Sequence, residues 1–371
     1  MAKKSSMKDN IGKSSRRRFM KTAGAGVLTS SIATLLGNNK PPEFTILGAA
    51  NKSGSARPIL GDGNFRYEVI HDWGELPRTI KYGNTHGVCV DAQGHIYVHH
   101  TVHSTSENTD AMVIFDPDGK FVNSWGKEYQ GGAHGLHIRK EGSEEFLYLC
   151  DIKRNIVVKT TLNGEIVFTL GYPKESDKYP LNADGKPAIK YTPTNLAIAP
   201  NGDIYVGDGY GSSFINQYNS KGEFIRTFGG KGSGPGQLSC PHGIMVDARS
   251  PEPLLVVADR SNNRLQYFSL DGQHLRFVEG VKLPCHFDQR KGALLVPDLA
   301  ARVTIMDKDN KVIVNLGEGA DDWKDLRTKP RESFIPGKFI CPHSACWDHD
   351  GNIFVVEWVE VGRVTKLRKV S

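Results

Sequence analysis

No apolar run in this sequence is long enough for an ordinary transmembrane helix. The best candidate, Thr22–Leu36, is weakly apolar and about 15 residues long, against the roughly 20 that a spanning helix needs. The six cysteines, Cys89, Cys150, Cys240, Cys285, Cys341 and Cys346, contain no CxxC pair, which removes thioredoxin-like redox and zinc-ribbon sites. A phosphate-binding loop is also missing: the glycine-rich segment 229–236 has no GxxxxGK[ST] order and opens no helix, so it reads as a connecting loop. The formal charge is +6, but residues 1–50 hold nine Lys/Arg and only two Asp/Glu, leaving 38 basic and 39 acidic residues beyond. A polyanion binder needs its basic excess in the folded part, so nucleic acid is not an expected partner. With 24% charged and 38% hydrophobic residues, the 371-residue chain is neither disordered nor fibrous, and its length allows either two domains or one large closed β fold.

The leader accounts for the basic excess. Ser15-Arg16-Arg17-Arg18-Phe19-Met20-Lys21, followed by Thr22–Leu36 with no acidic residue, resembles a twin-arginine translocation signal. Cleavage is expected near Gly48-Ala49-Ala50. The first cysteine is Cys89, so no lipobox follows. The resemblance implies a periplasmic or secreted protein, exported already folded and able to carry a metal loaded beforehand, with no integral membrane domain after cleavage. A monomer is expected, organised as signal and linker over 1–50, an N-terminal linker over 51–66 and one folded domain over 67–371.

Within that domain one pattern recurs six times. The second, alternating strands of the repeats are Gly94–Val98, Phe146–Asp151, Asp203–Asp208, Leu254–Asp259, Ala293–Asp298 and Asn352–Glu357, five of the six ending on Asp or Glu. Turns follow in register at Asp118-Gly119, Asn163-Gly164, Lys221-Gly222, Asp271-Gly272 and Asp309-Asn310, each before a further strand such as Phe121–Trp125. Five turns for six repeats leave one outer strand missing. Tyr67–Gly74, with its Trp73-Gly74 ending, has the shape of the last strand Phe121–Gly126 and supplies it. A period near 50 residues with a displaced terminal strand predicts an all-β, six-bladed β-propeller closed by an N-terminal strand, with repeats resembling the NHL family. A linear β-sandwich is the alternative, but it does not predict the displaced strand.

In a propeller the residues that open the innermost strands converge on one mouth of the central channel. The six openings are Thr85-His86-Gly87, Ala133-His134-Gly135, Pro193-Thr194-Asn195, Pro241-His242-Gly243, Pro284-Cys285-His286 and Pro342-His343-Ser344. Five carry histidine, out of 13 in the chain. Converging imidazoles suit zinc or copper, and three of them leave a position open for water or substrate.

These openings, with Asp208-Gly209-Tyr210 and the Ala258–Gln266 segment, resemble peptidyl-α-hydroxyglycine α-amidating lyase over most of residues 65–371. The resemblance implies cleavage of a carbinolamide C–N bond to an amide and glyoxylate. It also implies a catalytic metal, zinc or another divalent ion, on His134, His242 and His343, with Tyr210 as base and Arg260 binding the substrate carboxylate. Three positions depart from the family. A second functional arginine is His100, placed here as a substrate contact. The aspartate that serves a structural calcium is Ser344, which disfavours calcium. A disulfide cysteine is Gly211. His86 and His286 stand as possible additional metal ligands. The expected partner is a small-molecule or peptide substrate bearing a carboxylate. The alternatives are a metal-dependent lactonase or other hydrolase, and a non-catalytic NHL scaffold binding protein or glycan.

Overall fold

A computed structural model describes residues 57–319 and 321–370; the leader and signal expected over 1–50 lie outside the described residues. Five four-stranded antiparallel sheets and one five-stranded sheet follow one another as six blades. The first strands of the blades, in order, are Thr85–Val90, Ala133–Glu141, Asn195–Ile198, Pro241–Asp247, Asp288–Arg290 and Pro342–Trp347. Blade six shows the closure: Tyr67–His71 pairs antiparallel with Arg363–Lys369, from Tyr67↔Lys369 to His71↔Thr365. Ile59–Leu60, inside the segment expected to be linker, adds a two-residue fifth strand on Tyr67–Glu68. Two residues carry no readable alternation, and the backbone N–H of Val69 bonding to the Pro58 carbonyl at 2.8 Å holds this edge. Among the described residues no helix is long and apolar enough to cross a membrane.

The repeated turn and strand-end motifs turn out to be one device. The ring of Trp125 closes blade one and packs on Gly164 in the turn of blade two, so close that a Cβ on Gly164 would lie 2.6 Å from the indole. Phe228 meets Gly272 in the same way, and Trp73 of the N-terminal strand meets Gly119. The turn glycines also have positive φ, 94° at Gly119 and 90° at Gly272, a backbone that side chains other than Asn and Asp rarely accept. Turn chemistry and inter-blade packing therefore demand the same residue. The apolar core is divided accordingly, one cluster per blade junction. The junction of blades six and one contains Trp73, Val88, Phe115, Phe354 and Val356; that of blades one and two contains Met112, Leu136 and Leu149. The inner strands of the blades are thus buried on both faces, while the outermost strands, such as Phe121–Trp125 and Ile166–Leu170, are partly exposed.

Candidate metal centre

Four of the first strands break register at their opening. The pairing skips between Thr85 and Gly87, Ala133 and Leu136, Pro241 and Ile244, and Pro342 and Ser344. Each break is a bulge, and His86, His134, His242 and His343 lie within the four bulges. A bulged residue is released from the ladder and can be re-aimed, here along the axis. The blade-three strand Asn195–Ile198 opens without such a break and without histidine.

Three of the imidazoles are locked in one pattern. His134 Nδ1 donates to the Thr194 carbonyl at 2.6 Å, His242 Nδ1 to the Cys285 carbonyl at 2.8 Å, and His343 Nδ1 to the His86 carbonyl at 2.8 Å. Histidines of blades two, four and six thus each bond to the opening of the following blade. Gly135 and Gly243 allow this approach, since a Cβ there would lie 2.7 Å and 2.5 Å from the same carbonyl oxygens. A proton fixed on Nδ1 leaves a lone pair on Nε2 and fixes ring orientation, the outer-shell arrangement typical of metal-binding histidine. The three rings stand 4.7–4.8 Å apart, centroid to centroid.

Burial keeps these imidazoles neutral. It brings His134 down to about 3, and holds His242 and His343 well below the ordinary histidine range, with the neighbouring rings and Arg260 adding to the effect. His86 is depressed by burial and by His343 and His134. The ligand atoms of His86, His134 and His343 all lie within 4.8 Å of one another, so this buried group can hold a metal ion. Neutral nitrogen donors match zinc, copper and other first-row divalent ions.

Above the imidazoles sit the two other residues expected at the site. The Tyr210 hydroxyl lies 3.2 Å from His134 Nε2 and 3.1 Å from His242 Nε2. Arg260 Nη1 donates to it at 3.3 Å. Both side chains remain partly exposed, whereas the histidines beneath are buried, so the site is open to the mouth. Burial pushes the Tyr210 phenol up to about 12, with Arg260 opposing the shift. Arg260 has no carboxylate within 4.0 Å among the described residues, and the thiols of Cys240 and Cys285 lie beside it.

His100 and His286 are placed elsewhere. His100 is fully buried, accepts from the Val102 N–H through Nδ1 at 3.0 Å and packs its ring on Tyr82 at 4.8 Å. It pairs with Thr85 just as Asp151 pairs with Ala133, Asp259 with Pro241 and Glu357 with Pro342. It therefore occupies the corner position at which the other blades carry acids, and it is not offered to a substrate as expected. His286 stacks on His137 at 4.9 Å, with both its ring nitrogens buried and unpartnered. His137, which bonds to Asn195 Oδ1 through Nε2 at 2.6 Å, was missed in the sequence. In a regular strand His134 and His137 would face opposite sides; the bulge between them brings both toward the axis, and only a His-x-x-His spacing hinted at it. Ser344 Oγ is also buried without a partner. A serine hydroxyl in place of the family's aspartate supplies no anionic oxygen, so this position does not favour calcium.

Comparison with known proteins agrees with the sequence resemblance. The chain is 27% identical over 248 residues to rat peptidylglycine alpha-amidating monooxygenase, covering 59% of this chain and 24% of that protein. It is 26% identical over 292 residues to Drosophila melanogaster peptidyl-alpha-hydroxyglycine alpha-amidating lyase 1, covering 68% and 47%. A Caenorhabditis elegans relative named probable peptidyl-alpha-hydroxyglycine alpha-amidating lyase pgal-1 is 26% identical over 313 residues, covering 77% and 83%. The chain thus spans about a quarter of the rat relative and about half of the Drosophila one. No protein-family model matches. Among solved structures, a streptogramin B lyase superposes with TM-score 0.54 at 12% identity, over 84% of this chain and all of that one. A gluconolactonase from Xanthomonas campestris superposes with TM-score 0.54 at 12% identity, over 86% and 97%. These two likenesses establish the propeller fold alone.

Proposed function

We propose that this protein is a metal-dependent carbon–nitrogen lyase acting on a peptidyl-α-hydroxyglycine or a closely related carbinolamide, releasing an amide and glyoxylate. The observation that carries the reading is the position of the Tyr210 hydroxyl, within 3.3 Å of His134 Nε2, His242 Nε2 and Arg260 Nη1 together. A proton acceptor, imidazole lone pairs and a fixed guanidinium meet at one point of an open mouth. A divalent cation held by the imidazoles would supply Lewis acidity, lowering the pKa of a substrate hydroxyl and of the phenol beside it.

The residues of the chain do the rest. Arg260 receives the substrate carboxylate with its planar fork and so orients the α-carbon toward Tyr210. Tyr210, as phenolate, takes the proton of the α-hydroxyl; Arg260 favours that ionised form against the burial that disfavours it. The oxygen electrons then form the aldehyde C=O, the C–N bond breaks, and the nitrogen recovers the proton from Tyr210 to leave as the amide. Atoms and charge balance, and no oxidant is needed. Export through the leader would place this activity in the periplasm or outside the cell.

The test is glyoxylate release from an N-acyl-α-hydroxyglycine by the metal-loaded full chain. Release above the chelated control is expected, and Tyr210→Phe is expected to lower turnover by roughly 100-fold, the scale of general-base loss, while metal content stays unchanged. Release no greater than in the chelated control would overturn the reading.

A further inference from the structure

In each of the four blades with a histidine bulge, the residue after the second-strand corner donates its backbone N–H to the carbonyl two residues before that histidine. Thr101 donates to Asn84 at 3.0 Å, Ile152 to Gly132 at 2.9 Å, Arg260 to Cys240 at 3.3 Å and Trp358 to Cys341 at 2.8 Å. These positions are equivalent around the mouth. In blade four the position carries the guanidinium of Arg260. In blade six it carries the Trp358 indole, and a second guanidinium lies on that ring, with Arg327 Cζ 3.5 Å from the centroid. Arg327 follows the short helix Trp323–Leu326 in the connection between blades five and six, and its Nη2 donates to Asn84 Oδ1 at 3.1 Å. It is therefore held between the openings of His343 and His86. His86 is depressed by burial first, then by His343, His134 and His99, and also by the Arg327 cation.

The stack and one hydrogen bond orient this guanidinium without using it up. Its Nε is buried with no partner. Its Nη1 reaches only the Glu360 carboxylate, at 3.8 Å, and that side chain is 54% exposed, so the pair is weak and screened. We infer that Arg327 is a second anion-binding residue of the mouth, selecting a substrate that carries a negative group besides the carboxylate taken by Arg260: an acidic side chain on the residue before the hydroxyglycine. The inference rests on the proposed function and narrows its substrate class. The imidazoles between the two arginines are neutral, so the fixed charge contributed by these residues is of one sign and a dianion matches it. Arg327 sets specificity, and the proton transfer stays with Tyr210.

Calorimetry on the full-length, metal-loaded protein tests this with two unreactive peptides, N-acetylglutamylglycine and N-acetylglutaminylglycine. The parent is expected to bind the glutamyl peptide roughly tenfold more tightly, the worth of one charged hydrogen bond, with the preference shrinking at high salt. Arg327→Met is expected to bind the two alike. Arg260→Met is expected to weaken both and keep the preference, a split that a merely structural Arg327 would not produce. Equal binding by the parent would overturn the inference even if the variants do not fold, and the lyase reading would still be decided by glyoxylate release. A glutamyl preference that survives Arg327→Met, or binding of neither peptide, would also overturn it. A preference lost in Arg327→Met, together with no glyoxylate release, would uphold the anion site and overturn the lyase reading.

Discussion

The propeller treats charge in opposite ways at two places a few residues apart. At the corners, where the second strand of a blade ends, guanidiniums are matched: Arg154 to Asp151 at 2.6 Å, Arg264 to Asp259 at 2.7 Å, Arg302 to Asp298 at 2.8 Å, and Arg363 to Glu357. At the mouth the imidazoles cluster without an acid, and Arg260 has no carboxylate partner among the described residues. Corner pairs match charge with charge and fix the blade. The mouth leaves lone pairs and one cation without an acid partner among the described residues, valences available to a ligand. If that contrast is real, the two regions must respond differently to protons, to removal of a partner and to a ligand.

Protons give the largest expected effect. Burial depresses His86, His134, His242 and His343 at the mouth, and His99, His100, His137 and His286 around them. A depressed histidine binds its proton in the unfolded chain first, so stability is full above about pH 6.5 and is lost as pH falls toward 3–4. At pH 5 each such group costs up to about 2 kcal/mol. Asp288 and Asp298, raised by burial to about 6, and Asp208, also raised by burial, act in the opposite sense, but they are three against eight. Urea unfolding of the chelated protein should therefore shift to much lower midpoint between pH 7 and 5. A flat profile would mean that the imidazoles are not held neutral, and the contrast between the regions would fail.

Removing a corner partner ranks second. Arg302 and Asp298 are both buried, and Thr304 also donates to Asp298 Oδ2 at 2.7 Å. Arg302→Met leaves a buried carboxylate without its cation and should cost about 3–5 kcal/mol at pH 8, with metal content unchanged. The loss should shrink toward pH 5, since an unpaired Asp298 can then take up a proton. A loss below about 1 kcal/mol at pH 8, read from the unfolding midpoint, would show that the corners are not structural clamps.

The corners and the mouth were not equally legible in the sequence. Blade number, closure and the opening histidines could be read because turn, strand ending and inter-blade packing ask for the same residues at Trp73-Gly74, Asp118-Gly119 and Asp271-Gly272. The strand-end acids were visible as a repeat, but their arginines were not, because the partner lies at a different offset in each blade: Arg154 three residues on, Arg302 four, Arg264 five and Arg363 six. The resemblance puts an arginine at His100 and so assigns it to the substrate; its register opposite Thr85 makes it instead the corner residue of blade one. His137 stayed hidden for a local reason. A bulge reverses strand alternation, and only the glycine and the His-x-x-His spacing of Ala133-His134-Gly135-Leu136-His137 announce one.

The smallest effect on stability belongs to Arg260, and it sharpens the comparison most, because Arg264 lies four residues away in the same blade. The nearby acid cannot serve both. Asp259 accepts from Arg264 Nε at 2.7 Å, the Ser239 N–H at 2.6 Å, Asn262 Nδ2 at 2.8 Å and Gln266 Nε2 at 2.9 Å, so its oxygens are fully used. Arg260 is left with the Tyr210 hydroxyl and two thiols, none of which carries the full negative charge a guanidinium can pair with at neutral pH. Arg260→Met removes no ion pair and should leave the unfolding midpoint within about 1 kcal/mol of the parent. What it should remove is recognition of charge. The parent should bind an unreactive N-acylglycine more tightly than its methyl ester by roughly 10- to 100-fold, the worth of one charged hydrogen-bonded pair, and the variant should bind the two alike. Equal binding of acid and ester by the parent would show that the open valence of Arg260 is not a carboxylate site, and a large loss of stability in the variant would show that it was closed all along.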